Sequence, residues 1–99
     1  ILGFQEKDDG ASVWFMKGLK EAVSDYDNRG VNHIGFKVDS QKAVDEVTAF
    51  LKKNGVDALF ETPRHRPEFS FEEGHTYYQV MFTSPDNILF EVMFTGPKV

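Results

Sequence analysis

The segment VNHIGFKVDSQKAVDEVTAFLKKNG, residues 31–55, changes its hydrophobic period near its middle. Alternation of apolar and polar residues over Val31–Val38 predicts a strand with two unlike faces. One face is apolar, with Ile34, Phe36 and Val38. The opposite face is polar or small, with His33, Gly35 and Lys37. Apolar spacings of three and four residues then predict a helix to about Asn54, capped by Asp39 or Ser40. The segment therefore opens a mixed α and β unit.

Three more strands are predicted downstream of this helix. They are rich in β-branched and aromatic residues and are bounded by turn residues: Val56–Glu61, Tyr77–Phe82 and Ile88–Phe94. Residues 31–94 thus predict the order strand, helix, strand, strand, strand. The intervening segment Thr62–Gly74 is predicted to be a long loop, which in a compact domain is often a binding loop. Its Arg64 and Arg66 could bind a substrate carboxylate or phosphate.

The N-terminal residues predict a shorter version of the same unit. Three extended segments are predicted here: Phe4–Lys7, Ser12–Met16 and Leu19–Val23. Asp8-Asp9-Gly10 forms a turn after the first of them, and Ser24–Gly30 is a loop after the last. This order repeats the strands of the downstream unit without its opening strand and helix. We therefore predict an α+β fold in a single domain over residues 1–99, with a partial first unit at 1–23 and a second βαβββ unit at 31–94.

Composition excludes several classes of function. A net charge of −5 argues against a nucleic-acid partner, because phosphate binding needs a basic surface. No apolar run approaches the roughly 20 residues of a membrane span. Cysteine is absent, which removes disulfides, thiolate nucleophiles and thiolate zinc sites, and which favours a cytoplasmic location.

Three motifs point further: ILGF at 1–4, VNHIGFKV at 31–38 and YYQVMFTSPDNILFEV at 77–92. They resemble, in order, the end of the first helix, a His-Ile-Ala-Phe strand and a Phe-x-Asp-Pro-Asp-Gly turn before a Glu-bearing strand. All three belong to the vicinal-oxygen-chelate superfamily, which includes glyoxalases, bleomycin-resistance proteins and ring-cleaving dioxygenases. The resemblance implies tandem βαβββ units that form a cup-shaped mixed sheet around a metal, usually in a homodimer.

The same resemblance implies an incomplete first unit. Either roughly 25 to 35 residues of strand and helix precede Ile1 in the intact protein, or this is a short form completed by another subunit. The first alternative is favoured, because Ile1 corresponds to a position inside a helix. The missing first strand would carry a further metal-binding histidine.

Two residues match ligand positions of the superfamily. His33 matches the histidine of the second unit and Glu91 matches the glutamate of the last strand, while Glu21 is a weaker candidate. Both strand patterns place these polar groups opposite the apolar faces, where an imidazole and a carboxylate suit a divalent ion such as Fe, Mn, Ni or Zn. The simpler alternatives are a strand histidine bonded to a neighbour and a salt bridge from Glu91 to Lys37 or Arg64.

The remaining polar and aromatic candidates have plainer interpretations. His65 is predicted to be a surface histidine and His75 a turn histidine, although His75 could line the mouth of the cup. Tyr77 or Tyr78 could reach a substrate, with aromatic packing as the default.

The resemblance implies Lewis-acid chemistry on a small substrate with vicinal oxygens, of the lyase or isomerase type, with Glu91 as the catalytic base. Three alternatives stay open: an Fe(II) ring-cleaving dioxygenase, a thiol transferase of the fosfomycin-resistance type and a metal-free drug-binding protein of the bleomycin-resistance type. The dioxygenase is disfavoured, because Met81 and Glu72 stand where its pattern has a tyrosine and a histidine.

Overall fold

One helix and six strands make up the regular structure of a computed structural model that describes residues 2–7 and 10–99. The predicted turn residues Asp8 and Asp9 and the helix position at Ile1 lie outside the described residues. The elements follow in chain order: β1 Leu2–Gln5, β2 Ser12–Phe15, β3 Ile34–Lys37, α1 Gln41–Lys53, β4 Leu59–His65, a short 3₁₀ turn Pro67–Phe69, β5 His75–Thr83 and β6 Leu89–Pro97.

The second unit forms a four-stranded mixed sheet in the order β3-β6-β5-β4. Strand β6 lies between a parallel neighbour, β3, and an antiparallel neighbour, β5. Because β3 and β6 are parallel, the chain must cross over between them, and α1 with β4 and β5 makes that connection. This arrangement confirms the predicted α+β class and the βαβββ order of the second unit.

Helix α1 begins where the sequence predicts. The Ser40 hydroxyl accepts a hydrogen bond from the Ala43 amide at 3.0 Å, so Ser40 rather than Asp39 is the cap. At the other end, Gly55 has a φ of 76°, the left-handed conformation that glycine adopts without strain. The apolar stripe of the helix packs on the sheet in a core of buried residues: Val44, Leu51, Val80 and Val92.

The two faces of β6 separate the core from the functional residues. Phe90 and Val92 are buried on the helix side, and Glu91 between them points the other way. Glu91 is paired with Gly35 of β3, and a Cβ built on Gly35 would lie 3.2 Å from Glu91 Oε1. The predicted separation of apolar and polar faces is therefore confirmed on both strands.

The N-terminal segment forms an antiparallel hairpin rather than three strands. Strands β1 and β2 pair from Leu2 opposite Phe15 to Gln5 opposite Ser12. The ring centroids of Phe15 and Phe90 are 6.5 Å apart, and this contact links the hairpin to the larger sheet. A cavity of about 520 Å³ lies between the two sheets and is lined mainly by phenylalanines: Phe4, Phe15, Phe36, Phe82 and Phe90.

The strand predicted at Leu19–Val23 is wrong. These residues have no strand conformation; Leu19 is fully exposed and Val23 is 68% exposed. Alternation of apolar and polar residues stabilises a strand only where a neighbouring strand supplies hydrogen bonds and a core covers the apolar face. The described part of the chain supplies neither here.

The boundary between β4 and the following loop also differs from the prediction. The strand runs over Leu59–His65 instead of Val56–Glu61, so the predicted loop at Thr62–Gly74 begins later. Its pairing with β5 is interrupted between Leu59 and Arg64 by a bulge in which Phe60 and Glu61 have positive φ. A proline at position 63 is tolerated because β4 is an edge strand.

No helix within the described residues is both long and apolar enough to span a bilayer.

Leu51→Ala should lower the free energy of unfolding by about 2–5 kcal/mol, because Leu51 is only 7% exposed and its removal leaves a cavity in the core. Phe50→Ala is the matched control on the same helix. Phe50 is 65% exposed, so its loss should change stability by no more than about 0.5 kcal/mol. Urea unfolding followed by circular dichroism measures both, and equal losses in the two variants would contradict this packing.

Candidate metal site

A buried carboxylate lies at the centre of the polar face of the sheet. Glu91 is only 4% exposed, and burying a charge is costly unless hydrogen bonds compensate it. The Tyr77 hydroxyl donates to Glu91 Oε1 at 2.8 Å, and the Gln79 side-chain amide donates to Oε2. Both donors come from β5, beside β6, and side chains of the same parity on the two strands share this face. The neighbouring strand therefore holds the carboxylate in one orientation.

His33 directly precedes β3 and faces this carboxylate. Its Nε2 is 3.6 Å from Glu91 Oε1, and its Nδ1 is 2.8 Å from Asn32 Oδ1. The Asn32 Nδ2 donates to the Tyr26 carbonyl at 2.9 Å, which fixes the orientation of the amide. Asn32 Oδ1 must then accept, so the Nδ1 of His33 carries a proton. In the neutral imidazole this leaves the Nε2 lone pair directed at the carboxylate.

This geometry fits a divalent ion shared by the two side chains. Two electron-pair donors, Nε2 of His33 and Oε1 of Glu91, face one another at a distance too long for a hydrogen bond. Donor atoms bound to one metal at about 2.0–2.2 Å are roughly 3.0–3.6 Å apart at the usual coordination angles. Each oxygen of Glu91 also keeps a lone pair beyond its hydrogen bond. An outer oxygen that orients a ligating imidazole, here Asn32 Oδ1, is a common feature of metal sites.

A cavity of about 460 Å³ opens in front of the pair. Its wall carries polar and aromatic groups from several elements: Tyr26, Asp27, Asn32, Arg66, Phe69, Tyr77 and Gln79. Over residues 2–7 and 10–99, no cluster of three or more His, Cys, Asp or Glu side chains has the geometry of a metal site. Among the described residues, this cavity is therefore bordered by two candidate ligands, His33 and Glu91.

Of the three predicted ligands, the structure brings together two. Glu21 is exposed and lines a different cavity with Lys17 and Asp86. The strand that was predicted to aim Glu21 inward is not formed, so its role as a ligand stays a prediction. Neither Lys37 nor Arg64 is a described partner of Glu91, which bonds instead to Tyr77 and Gln79.

Sequence reasoning missed Gln79 and Asn32, and it treated Tyr77 as packing or substrate contact. The alternation in Tyr77–Met81 holds the signal for two of them, because residues 77, 79 and 81 share the face of Glu91 once β5 pairs with β6. The pairing register, which the sequence pattern does not give, was needed to use it.

The other two histidines lie away from the cavity. His75 forms an exposed pair with Glu72, 3.1 Å between Nε2 and Oε2. His65 bonds to Thr76 and packs against Tyr78, with 4.5 Å between ring centroids and the rings tilted by 40°, and burial lowers its pKa. Burial and a hydrogen bond to Asp45 raise the pKa of Tyr78 to about 12. These contacts connect β4, β5 and α1.

The fold of this chain is a small βαβββ unit with a histidine and a glutamate on the polar face of its sheet. Two solved structures are similar to it. A proposed glyoxalase from Bacillus halodurans matches with a TM-score of 0.59 and 26% identity, over 77% of this chain and 53% of that one. A glyoxalase/bleomycin resistance protein/dioxygenase from Alicyclobacillus acidocaldarius matches with a TM-score of 0.56 and 17% identity, over 77% and 55%.

The genomically encoded fosfomycin resistance protein FosX from Listeria monocytogenes matches with 32% identity and a TM-score of 0.45, over 67% of this chain and 47% of that one. No protein-family model and no curated protein matches the sequence. The chain spans about half the length of the solved structures it matches. Its fold is that of the vicinal-oxygen-chelate superfamily, as the motifs predict.

Tyr77 should ionise only well above pH 10. Burial and the hydrogen bond to the Glu91 carboxylate raise its pKa, so the bond stabilises the fold fully below about pH 10 and is lost as pH rises through the folded-state pKa. The test compares phenolate absorbance in wild type and Tyr77→Phe. One tyrosine of the wild type should ionise only above pH 10, and Tyr77→Phe should lack that ionisation. If the variant instead lacks an ionisation at about pH 10, the bond to Glu91 is contradicted.

Proposed function

We propose that this chain is part of a metal-dependent enzyme that acts on a small substrate with two adjacent oxygens, with chemistry of the lyase or isomerase type. One observation carries the proposal: Nδ1–H of His33 donates to Asn32 Oδ1, and in the neutral imidazole the Nε2 lone pair then faces the buried carboxylate of Glu91. In that neutral state the two electron-pair donors repel one another, and a divalent cation held between them would turn the repulsion into attraction. Fold similarity to glyoxalase-type proteins supports the same conclusion.

His33 and Glu91 would hold the ion, which we expect to be Fe, Mn, Ni or Zn, because the ligands are nitrogen and oxygen without sulfur. When bound, such an ion supplies Lewis-acid stabilisation of negative charge on a substrate oxygen. Tyr77 and Gln79 hold the carboxylate of Glu91 in place, so that no reorganisation is needed at the moment of reaction.

Glu91 is also the proposed base. Its carboxylate would accept a proton from the carbon next to a substrate carbonyl, so that the C–H bond breaks, an O–H bond forms and the electron pair moves towards the carbonyl oxygen. Phe69 and Met81 give the cavity an apolar part, which favours proton transfer by keeping water away from the reacting carbon.

Ring cleavage with Fe(II) is the less favoured enzyme class. Met81 is directly opposite Glu91 on β5 and lines the cavity, so a thioether occupies the position where the dioxygenase pattern has a tyrosine. Binding of a drug without metal is the other class, and retention of metal separates it from the proposal.

The proposal predicts that the wild type keeps a divalent ion through dialysis and that His33→Ala and Glu91→Ala bind Mn²⁺ or Zn²⁺ at least about tenfold more weakly. In known metal sites, mutation of residues that hydrogen-bond to the ligands already lowers metal affinity about 10–100-fold, and loss of a ligand itself should lower it no less. Elemental analysis and competition with a chelator measure the affinity.

The matched controls are His75→Ala and Glu72→Ala. These residues also form a histidine–glutamate pair, 3.1 Å apart, but they lie outside the cavity. Metal affinity should be unchanged in both. If the His33 and Glu91 variants keep wild-type affinity, or if the control pair loses it, the site is assigned wrongly.

A homodimer remains a proposal from the family resemblance, as does a cytoplasmic location. The edge strand β3 supports the dimer, because it exposes Ile34 and Phe36 beside an unpaired edge that a second chain could cover. A light-scattering mass equal to one chain, 11.3 kDa, would contradict the dimer.

A further inference from the structure

A single guanidinium group enters the wall of the proposed metal cavity. Arg66 follows β4 directly, and its backbone amide donates to the Tyr77 carbonyl, which fixes the residue beside β5. The side chain is held on two sides: Nε donates to Glu68 Oε2 at 2.9 Å, and Cζ lies 4.6 Å from the centroid of the Phe69 ring. Of the two arginines in this segment, Arg66 lines the cavity and Arg64 does not.

Gln79 separates this cation from the buried carboxylate. Its Nε2 donates to Glu91 Oε2, and its Oε1 accepts from Arg66 Nη1 at 3.4 Å. Arg66 and Glu91 form no ion pair in the described structure. A neutral amide between them therefore keeps the negative charge available at one end of the cavity and the positive charge at the other.

The guanidinium keeps capacity for a ligand. The bond to Gln79 is long, and no described residue bonds to Nη2. The pair with Glu68 lies at the surface, with the Glu68 side chain 55% exposed, and such pairs contribute little to stability. An arginine held through Nε can present its two terminal nitrogens to an oxyanion in a bidentate geometry.

We propose that Arg66 determines specificity by binding an anionic group of the substrate, a carboxylate or a phosphate-type oxyanion. This inference rests on the proposed function, because it places the anionic group in the same cavity as the adjacent oxygens that would reach the ion at His33 and Glu91. A cavity of about 460 Å³ is of the size of small-molecule sites, and the guanidinium in its wall favours an anionic ligand. The substrate class is therefore a small anionic molecule with two adjacent oxygens.

The test uses metal-free protein and inorganic phosphate as the probe, at constant ionic strength. Nuclear magnetic resonance follows the Nε–H signal of Arg66 during the titration. Wild type should give a saturable shift, and Arg66→Gln should bind phosphate at least about tenfold more weakly, because a charge-assisted bidentate contact is lost. The conservative variant Arg66→Lys should bind with intermediate affinity, since it keeps the charge without the planar fork. Binding to the variants is followed by phosphorus resonance.

Arg29→Gln is the matched control, because Arg29 is exposed and does not line the cavity. It removes the same charge and should leave phosphate affinity within about twofold of wild type. Circular dichroism checks that each variant is folded. The proposal is overturned if wild type shows no saturable binding, if Arg66→Gln binds as wild type does, or if the Arg29 and Arg66 variants weaken binding equally.

The same variants separate this inference from the proposed function. Arg66→Gln should not weaken Mn²⁺ binding, since Arg66 is not a ligand and the loss of a nearby positive charge does not disfavour a cation. If wild type binds phosphate through Arg66 but holds no metal, the proposed function fails and the anion site stands.

Discussion

The buried carboxylate of Glu91 is the constraint around which the polar face of this sheet is organised. A carboxyl group with only 4% exposure needs hydrogen-bond partners, and the fold provides them through Tyr77 and Gln79 on the adjacent strand. Because β6 is an inner strand with hydrogen-bonded neighbours on both sides, the carboxylate has little freedom to move away. His33, directly before β3, then faces it from the other neighbouring strand.

A consequence is that polar contacts extend across three strands without a direct ion pair between opposite charges. Arg66 reaches Gln79, Gln79 reaches Glu91, and Glu91 faces His33, whose imidazole Asn32 orients. The neutral amide of Gln79 lies between Arg66 and Glu91, and the neutral amide of Asn32 accepts from the imidazole of His33. The opposite face of the same strands packs on α1, so the core and the cavity share one backbone and differ only by residue parity.

Much of this could be predicted from the sequence, and the reasons for the exceptions are physical. Helix α1 and the inward aim of Glu91 follow from periodicity, because a helix and a strand each place side chains at fixed angles. The strand at Leu19–Val23 could not be judged in this way, since its alternation says nothing about whether a partner strand exists. Gln79 needed the register of β5 against β6, and the extension of β4 past Pro63 depended on an edge position in the sheet.

The central claim is that His33 and Glu91 hold one divalent ion between them. Anomalous diffraction from crystals of the full-length protein grown with Mn²⁺, recorded at the manganese edge, tests it most directly. The claim predicts a single strong peak within about 2.0–2.3 Å of Nε2 of His33 and of a carboxylate oxygen of Glu91. A peak elsewhere, with these two side chains still 3.6 Å apart and no density between them, would contradict it.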